Sequence, residues 1–175
     1  MGRFFFDTNV LVKLFVYDET SYWAIGVEAS KAPRHQIIVA EIARVELPSA
    51  LYKLERITPT IQAGQTDLAL KRFQRYLDAD HDYRRSRFTV MHLNTALFAT
   101  ASALLLRYRT GRPKALRSLD ALQLASALVA RQTLPESSHG DLRFVSADKQ
   151  LRGCAQQEGF VVVDPNAPPG ANFNT

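Results

Sequence analysis

The sequence is short of the residues that several common protein chemistries require. Of its 175 residues one is cysteine, Cys154, so neither an internal disulfide nor a cysteine-rich zinc site can form. The phosphate-binding pattern G-x-x-x-x-G-K-[ST] and the nucleophile elbow G-x-S-x-G do not occur. The four histidines form no i, i+3 or i, i+4 pair, which a zinc site on a helix would need. We therefore expect a chain from a reducing cytoplasm whose chemistry uses other side chains.

Long apolar runs are missing as well. The longest stretch without a formal charge, Phe88–Leu106, contains threonine, histidine, asparagine and serine and is too polar for a membrane span. The N-terminal apolar run Phe4–Phe6 ends at Asp7, and Lys13 follows soon after, so it is too short and too charged for a signal peptide. A membrane is therefore not an expected partner.

The composition is that of an ordinary globular domain, with 46% hydrophobic and 22% charged residues. A chain of 175 residues has the usual size of one domain. The last segment is rich in proline, glycine and asparagine and cannot build a core. We expect one soluble, intracellular domain over residues 1–164 and a flexible tail over residues 165–175.

Positive charge is concentrated in the middle of the chain. The net charge is +5, and the segment from Lys71 to Arg117 holds 11 of the 22 lysines and arginines against three acids. The remainder carries more acids than bases. Such a division indicates an anionic partner, with nucleic acid as the first candidate. The alternative is that arginines such as Arg72 and Arg75 are only the solvated face of a surface helix.

Short β-branched or aromatic runs alternate with segments of helical periodicity. Strands are predicted at Arg3–Asp7, Gln36–Val39, Arg87–Val90, Leu142–Ser146 and Phe160–Val163. Helices are predicted at Thr8–Val16, Ser21–Ala32, from about Ala40 to Leu54, Thr58–Tyr76, Leu93–Tyr108, Leu119–Arg131 and Asp148–Gln157. The helix Leu93–Tyr108 is predicted to be buried, and Ser118 is predicted to be the N-cap of the helix that follows it. This alternation is typical of a parallel sheet covered by helices on both faces.

Four acidic residues fall where predicted strands end and predicted helices begin. Asp7 closes the first strand, and Glu46 lies on the helix after the second. Asp120 is in the first turn of its helix, and Asp148 begins the helix after the fourth strand. In open parallel sheets, ligands bind at the carboxyl ends of the strands. All four acids are therefore candidates for one site.

Each acid also has a structural explanation. Asp120 and Asp148 are favourable anions at helix N-termini, and Glu46 is explained equally well as a surface carboxylate. Glu41 competes with Glu46 for any role on that helix. Asp7 is the exception, because an aspartate after three phenylalanines is expected to be buried, and burying a carboxylate without a partner is costly.

A shared cation would explain the four acids together. Carboxylates that converge at one edge of a sheet repel one another unless a cation lies between them, and oxygen ligands suit Mg²⁺ or Mn²⁺. Such an ion lowers the pKa of bound water and offsets charge that develops on a phosphate. An acidic metal site beside a basic surface is suited to hydrolysis of a phosphodiester backbone.

Four blocks of the sequence carry a resemblance to a known family. They are FFFDTNVLVKL (Phe4–Leu14), IARVELPSAL (Ile42–Leu51), LDALQLASAL (Leu119–Leu128) and FVSADKQLRGCAQQEG (Phe144–Gly159). In this order they resemble the acidic motifs of a PIN domain, and more closely those of the VapC-type ribonuclease toxins of toxin–antitoxin pairs. The resemblance implies an α/β three-layer sandwich, with a mostly parallel sheet of four to five strands between helices. It also implies a hydrolase, a Mg²⁺-dependent endoribonuclease in which Mn²⁺ can substitute.

Carried over residue by residue, the resemblance assigns the catalytic and metal-binding acids to Asp7, Glu46, Asp120 and Asp148. Glu46 is preferred to Glu41 because it follows the Arg-Val pair of the second motif. All four carboxylates are intact, which argues against an inactive homologue.

The resemblance also assigns supporting residues. Thr8 and Ser146 occupy positions where family members keep a hydroxyl near the carboxylates. Ser146 stands where threonine is commoner and retains the hydroxyl. Gln123 stands where histidine often follows in the third motif, which changes no metal ligand.

Two protein contacts are implied by the same resemblance. Toxins of this type are made beside a small antitoxin whose C-terminal arm lies over the active-site groove, and they pair as homodimers. Four apolar or aromatic residues are candidates for the dimer contact or, equally, for ordinary core: Tyr17, Tyr22, Trp23 and Ile25.

The substrate is expected to be RNA, and three arginines are the first candidates for contacts with its backbone. Arg84, Arg85 and Arg87 cluster just before a predicted strand. Two alternatives stay open from the sequence. One is a non-catalytic RNA-binding or assembly module on the same fold, and the other is a nuclease that acts on single-stranded or flap DNA.

Overall fold

The computed structural model describes residues 2–16, 36–57, 64–78, 88–110, 115–134 and 142–167. Its centre is a sheet of five strands: β1 (Arg3–Phe6), β2 (Gln36–Ala40), β3 (Phe88–Met91), β4 (Leu142–Val145) and β5 (Val161–Val163). The strand order is β3-β2-β1-β4-β5, and every neighbouring pair is parallel. The predicted parallel sheet is confirmed.

Helices cover both faces of this sheet. Those within the described ranges are α1 (Thr8–Phe15), α2 (Ala43–Ile57), α3 (Gln65–Asp78), α4 (Thr95–Arg107), α5 (Ser118–Thr133) and α6 (Lys149–Gln157). The first three share a hydrophobic core with one face of the sheet, and the last three share a second core with the other face. The predicted three-layer α/β sandwich is confirmed.

Burial along β1 follows the pleat of the strand, in which successive side chains point to opposite faces. Phe4 and Phe6 pack into the core beneath α1, α2 and α3. Phe5 packs into the other core, where its ring stacks on that of Phe144 with centroids 5.5 Å apart. Because helices cover both faces, every position of the strand favours an apolar side chain. The chain leaves the sheet at Asp7.

The sheet changes its direction of winding at β1. The chain passes from β1 to β2 and β3 on one side, whereas β4 and β5 lie on the other side. Such a reversal leaves a crevice at the carboxyl ends of the two central strands, and ligands bind there in folds of this type. Asp7 follows β1 and Ser146 follows β4, so the backbone brings these two residues to the crevice.

The helix predicted at Leu93–Tyr108 is α4, and the prediction that it is buried is wrong. Leu97 and Leu104 are buried, whereas Phe98 is 49% and Leu106 is 66% exposed. The helix therefore presents one face to the core and the other to solvent. The lack of charge was misleading because alanine, threonine and serine are uncharged yet tolerate an exposed face.

The prediction that Ser118 is an N-cap is also wrong. Arg117 is the N-cap, with an extended backbone and no side-chain capping bond, and Ser118 is the first helical residue of α5. The guanidinium of Arg117 instead bonds to the carboxylate of Asp120, three residues on. A carboxylate in the first turn already stabilises the helix start electrostatically, so a hydroxyl cap is not required.

Some predictions fall on residues outside the described ranges. They concern the helix Ser21–Ala32, the first part of the helix from Thr58, the four candidate dimer residues, the three candidate RNA-binding arginines, and residues 168–175 of the tail. Over the ranges that are described, no helix combines the length and apolar character needed to cross a bilayer.

Candidate active site

Asp7 is the most buried acid at the carboxyl edge of the sheet, with 1% of its surface exposed. It is the N-cap of α1, and one carboxylate oxygen accepts a hydrogen bond from the backbone N–H of Val10 at 3.0 Å. Its second oxygen accepts a hydrogen bond from the hydroxyl of Ser146. Burial raises the pKa of Asp7 from 3.8 to about 6, because the low-dielectric surroundings disfavour the charged form.

Ser146 connects Asp7 to the start of α6. Its hydroxyl donates to Asp7 and accepts a hydrogen bond from the backbone N–H of Asp148 at 3.0 Å. The backbone N–H of Asp7 also donates to the carbonyl of Val145 at 3.1 Å, which fixes Asp7 beside the end of β4. The ends of the neighbouring strands β1 and β4 are thus joined by both backbone and side-chain bonds.

Asp148 is the N-cap of α6. Its Oδ1 accepts hydrogen bonds from the backbone N–H groups of Gln150 at 2.7 Å and Leu151 at 3.0 Å. Its Oδ2 points elsewhere and accepts a hydrogen bond from Arg117 Nη2 at 3.1 Å. One carboxylate therefore both caps a helix and contributes to the crevice.

Arg117 joins Asp148 to Asp120. Its Nε donates to Asp120 Oδ2 at 2.7 Å, and its Nη2 donates to Asp120 Oδ1 at 3.3 Å. The guanidinium thus holds Asp120 through both carboxylate oxygens and Asp148 through one. The Arg117 side chain is 69% exposed, whereas those of Asp120 and Asp148 are 18% and 26% exposed. These contacts raise the pKa of Arg117, with the hydrogen bond to Asp120 as the main cause.

Glu46 lies in the first turn of α2 and is held by two polar side chains. Its Oε2 accepts hydrogen bonds from the hydroxyl of Thr8 and from Nε2 of Gln123, both at 2.5 Å. Gln123 Nε2 also donates to the Thr8 hydroxyl at 2.8 Å, so the three side chains form a closed triangle. Burial is the main cause of a raised pKa of Glu46, and the charge of Asp120 adds to it.

Glu41, the competing acid, is engaged elsewhere. Its carboxylate accepts hydrogen bonds from the backbone N–H of Leu93 at 2.8 Å and from the ring of His92 at 3.1 Å. These contacts tie the turn after β2 to the segment after β3, and they lower the pKa of Glu41. Glu46 is therefore the acid that contacts Thr8, the residue next to Asp7.

The four acids fall into two hydrogen-bonded groups whose charges influence each other. Asp7 is linked through Ser146 to Asp148, and Asp148 through Arg117 to Asp120. Glu46 belongs to the separate triangle with Thr8 and Gln123, and its charge contributes to the raised pKa of Asp7. As the side chains lie, however, the described part of the chain has no three acidic, histidine or cysteine groups close enough together to hold a metal ion.

The chemistry of the donors nevertheless fits a hard divalent cation. Carboxylate oxygens are the ligands that Mg²⁺ and Mn²⁺ take in proteins, and all four acids lie at the same edge of the sheet. The carbonyl oxygen of the buried Gln123 side chain also has no hydrogen-bond partner. The sequence predicts a cation among all four acids, and the guanidinium of Arg117 lies between two of them, Asp120 and Asp148.

Sequence reasoning missed two members of these hydrogen-bonded groups. Arg117 was counted only as part of the basic segment, although its position three residues before Asp120 at a helix start is a signal for an ion pair. Gln123 was noted only as a departure from the family pattern. Its position three residues after Asp120 is the available clue, because it puts both side chains on one side of α5.

The described basic residues of the segment from Lys71 to Arg117 lie in different surroundings. Arg117 lies at the acids, and Arg107 pairs with Glu158 at 2.5 Å. On α3, in contrast, Arg72 and Arg75 are exposed, as expected for a solvated helix face. The described basic residues of this segment therefore have at least two different roles.

The fold is a parallel α/β sandwich, and the crevice at the ends of its central strands contains carboxylates and hydroxyls. Proteins of this class bind ligands in that crevice, and these groups are suited to cations and phosphates. The particular family follows from the sequence. The PIN domain family model matches residues 4–155, and the chain belongs to this family. No curated protein matches the chain in sequence.

Three solved structures share the fold. The FitAB complex bound to an IR36 DNA fragment aligns with a TM-score of 0.59 and 12% identity, over 94% of this chain and 96% of that chain. VapBC2 from Rickettsia felis, bound to a DNA fragment from its promoter, aligns with a TM-score of 0.57 and 12% identity, over 93% and 98%. A toxin–antitoxin complex from Klebsiella pneumoniae aligns with a TM-score of 0.52 and 21% identity, over 92% and 96%. At these identities the alignments describe a shared architecture.

Proposed function

We propose that this PIN domain is a toxin-type, Mg²⁺-dependent endoribonuclease, in which Mn²⁺ can substitute for Mg²⁺. The observation that carries the proposal is the set of four carboxylates at the switch point of the sheet, whose charges influence one another. Structural ion pairs alone do not require a carboxylate as deeply buried as Asp7, which is 1% exposed. Perturbed carboxylates grouped in a crevice are typical of functional sites.

Asp7, Asp120 and Asp148 would hold the metal directly, and Glu46 would complete the site through the attacking water. When bound, the ion would acidify a water molecule and stabilise charge on the scissile phosphate. The chain orients its own acids: the Ser146 hydroxyl holds Asp7, while Thr8 and Gln123 hold Oε2 of Glu46. These hydrogen bonds restrict each carboxylate to few rotamers, so less side-chain conformational entropy is lost when substrate binds.

Glu46 is the best candidate for receiving the proton of the attacking water. Both of its hydrogen bonds fall on Oε2, which leaves Oε1 as the oxygen for that proton. Burial raises the pKa of Glu46, and a more basic carboxylate is a better general base near neutral pH. Attack by water in line with the leaving oxygen would produce a 5′-phosphate and a 3′-hydroxyl.

The proposed regulatory partner is a cognate antitoxin. The three structural neighbours are FitAB bound to DNA, VapBC2 bound to DNA and a toxin–antitoxin complex, and the shared fold extends over more than nine-tenths of this chain. We propose that this chain also acts in the cytoplasm, bound to its antitoxin and paired as a homodimer. The mass of the purified chain in solution, measured by light scattering, tests the homodimer.

The proposed activity is tested by incubating the purified chain with a mixed RNA pool and Mg²⁺ or Mn²⁺, then mapping both product ends. We expect internal cuts with 5′-phosphate ends that chelation abolishes. A parallel incubation with single-stranded and flap DNA tests the alternative substrate. Tight RNA binding without cleavage under any divalent ion would contradict a nuclease and favour a binding module.

Arg84, Arg85 and Arg87 are proposed to hold the RNA backbone. Replacing all three with alanine should reduce the slope of log affinity against log salt by about two units, since each single-strand phosphate contact contributes roughly 0.7. The loss should be similar for RNAs of different sequence, because phosphate contacts do not read bases. Binding measured by fluorescence anisotropy at several salt concentrations checks this. An unchanged slope would move the contact elsewhere.

A further inference from the structure

We propose that Arg117 is a built-in counter-cation that competes with the divalent ion for Asp120 and Asp148. In the metal-free chain its guanidinium neutralises the two carboxylates, and it must release them before a metal can bind. This inference rests on the proposed metal-dependent function and adds a threshold for metal loading to it.

The contacts of Arg117 use the same oxygens that a metal would need. On Asp148, Oδ1 already accepts two backbone hydrogen bonds at the start of α6, so Oδ2 is the oxygen available to a ligand. That oxygen is bonded to Arg117 Nη2. On Asp120 both oxygens contact the guanidinium, at 2.7 and 3.3 Å. Arg117 therefore contacts both oxygens of Asp120 and the one oxygen of Asp148 that does not cap α6.

A guanidinium and a divalent ion cannot share these oxygens cheaply. Both are cations, and two cations in contact with one carboxylate repel each other at short range. The planar fork of arginine also fixes its position on a carboxylate, so it cannot move aside slightly while it keeps both bonds. Metal binding thus requires that the side chain of Arg117 turns away.

The surroundings of Arg117 allow this movement. Its side chain is 69% exposed, so a released guanidinium passes directly into water. The two carboxylates are only 18% and 26% exposed and stay at the crevice, because α5 and α6 fix their backbones. An exposed ion pair contributes little free energy, so Arg117 sets a threshold for metal binding and does not block it.

The test compares Arg117→Gln with the wild type by titration of Mn²⁺ in a calorimeter and by thermal unfolding. Removing the competing cation should tighten Mn²⁺ binding by about twofold to tenfold, the range expected when the two exposed charge pairs of Arg117 no longer have to break. In the presence of a chelator the variant should unfold at a lower temperature than the wild type, and Mn²⁺ should raise its Tm by a larger amount. Arg117→Lys, which keeps the charge but not the fork, should lie between the two.

Arg107→Gln is the matched control. Arg107 is also exposed, at 62%, and pairs with a single acid, Glu158, away from the four carboxylates. The Mn²⁺ affinity of the Arg107→Gln variant should equal that of the wild type. A tightening of similar size in this variant would mean that only net charge matters, and would overturn the proposal.

The remaining outcomes separate the inference from the function. Equal or weaker Mn²⁺ binding by both Arg117 variants would overturn the counter-cation role and show that Arg117 positions Asp120, while the metal-dependent function would stand. If the wild type binds no Mn²⁺, or Asp120→Asn binds it as the wild type does, the metal-dependent function fails and the inference fails with it. Loss of folding in Arg117→Gln leaves the lysine variant to decide.

Discussion

Replacing Asp7 with asparagine is expected to lower RNA cleavage at saturating Mg²⁺ by at least about 10³-fold, because loss of one charged ligand weakens the stabilisation of transition-state charge by several kcal/mol. The domain should stay folded. Asparagine is as good an N-cap as aspartate, and its side-chain oxygen can still accept the hydrogen bond from Val10. Cleavage rates and circular dichroism of the variant check the two parts of this expectation.

Asp120→Asn should behave in the same way, since Asp120 is the other central ligand of the proposed site. Glu41→Gln is the matched control for both variants. Glu41 lies near the same edge of the sheet, but its partners are Leu93 and His92 and it joins neither hydrogen-bonded group of the site. Wild-type cleavage by Asp7→Asn would show that the assignment is wrong, and unfolding of that variant would make Asp7 a structural residue instead.

The sequence predicts well what depends on local pattern. Phe4, Phe5 and Phe6 could be read as a strand covered on both faces, and the structure buries all three. The placement of Asp7 directly after that strand follows from the point where the apolar run stops. Asp148 was expected at the start of a helix for the same kind of reason, and it is the N-cap of α6.

What the sequence predicts poorly is how separate elements meet. Arg117 and Asp148 are 31 positions apart, and their contact exists because α5 and α6 begin at the same edge of the sheet. Gln123 and Thr8 are separated by 115 positions. The hydrophobic periodicity of a sequence does not predict contacts between residues so far apart in the chain. The choice of Glu46 over Glu41 likewise came from a family motif, whereas the hydrogen bonds of the two acids give an independent physical reason.

The repulsion between the acids of the crevice is offset by a cation at two of them and by neutral hydrogen-bond donors at the other two. Asp120 and Asp148 are partly exposed and share the positive charge of Arg117. Asp7 and Glu46 are more deeply placed and receive only neutral donors: hydroxyl, amide and backbone N–H groups. Neutral donors offset less of the cost of burial than a cation does, and the pKa values of these two acids are accordingly raised. Asp7 and Glu46 are therefore the acids that a bound metal ion would stabilise most.

The raised pKa of Asp7 makes the free energy of unfolding of the metal-free protein depend on pH in a definite direction. The pKa of Asp7 is about 6 in the folded chain and 3.8 in the unfolded chain, so between these values the folded state binds more protons. Stability contributed by this group is therefore present at low pH and is lost as the pH rises through about 6. Between about pH 4.5 and about pH 7.5 the loss should be about 2 kcal/mol.

Asp7→Asn removes the titration of Asp7 itself and leaves the distant titrating groups unchanged. The variant cannot ionise at position 7, so it should gain stability relative to the wild type as the pH rises, by the same amount that Asp7 loses. Urea unfolding of both proteins in the presence of a chelator, at about pH 4.5 and about pH 7.5, measures the difference. Lost or altered hydrogen bonds of the asparagine shift both measurements equally and cancel in the comparison. Glu41→Gln should show no such gain, because the pKa of Glu41 is lowered and its charge stabilises the fold at neutral pH. A stability difference between Asp7→Asn and wild type that stays constant with pH would mean that Asp7 is not held in the buried, proton-binding state from which the proposed metal would have to release it.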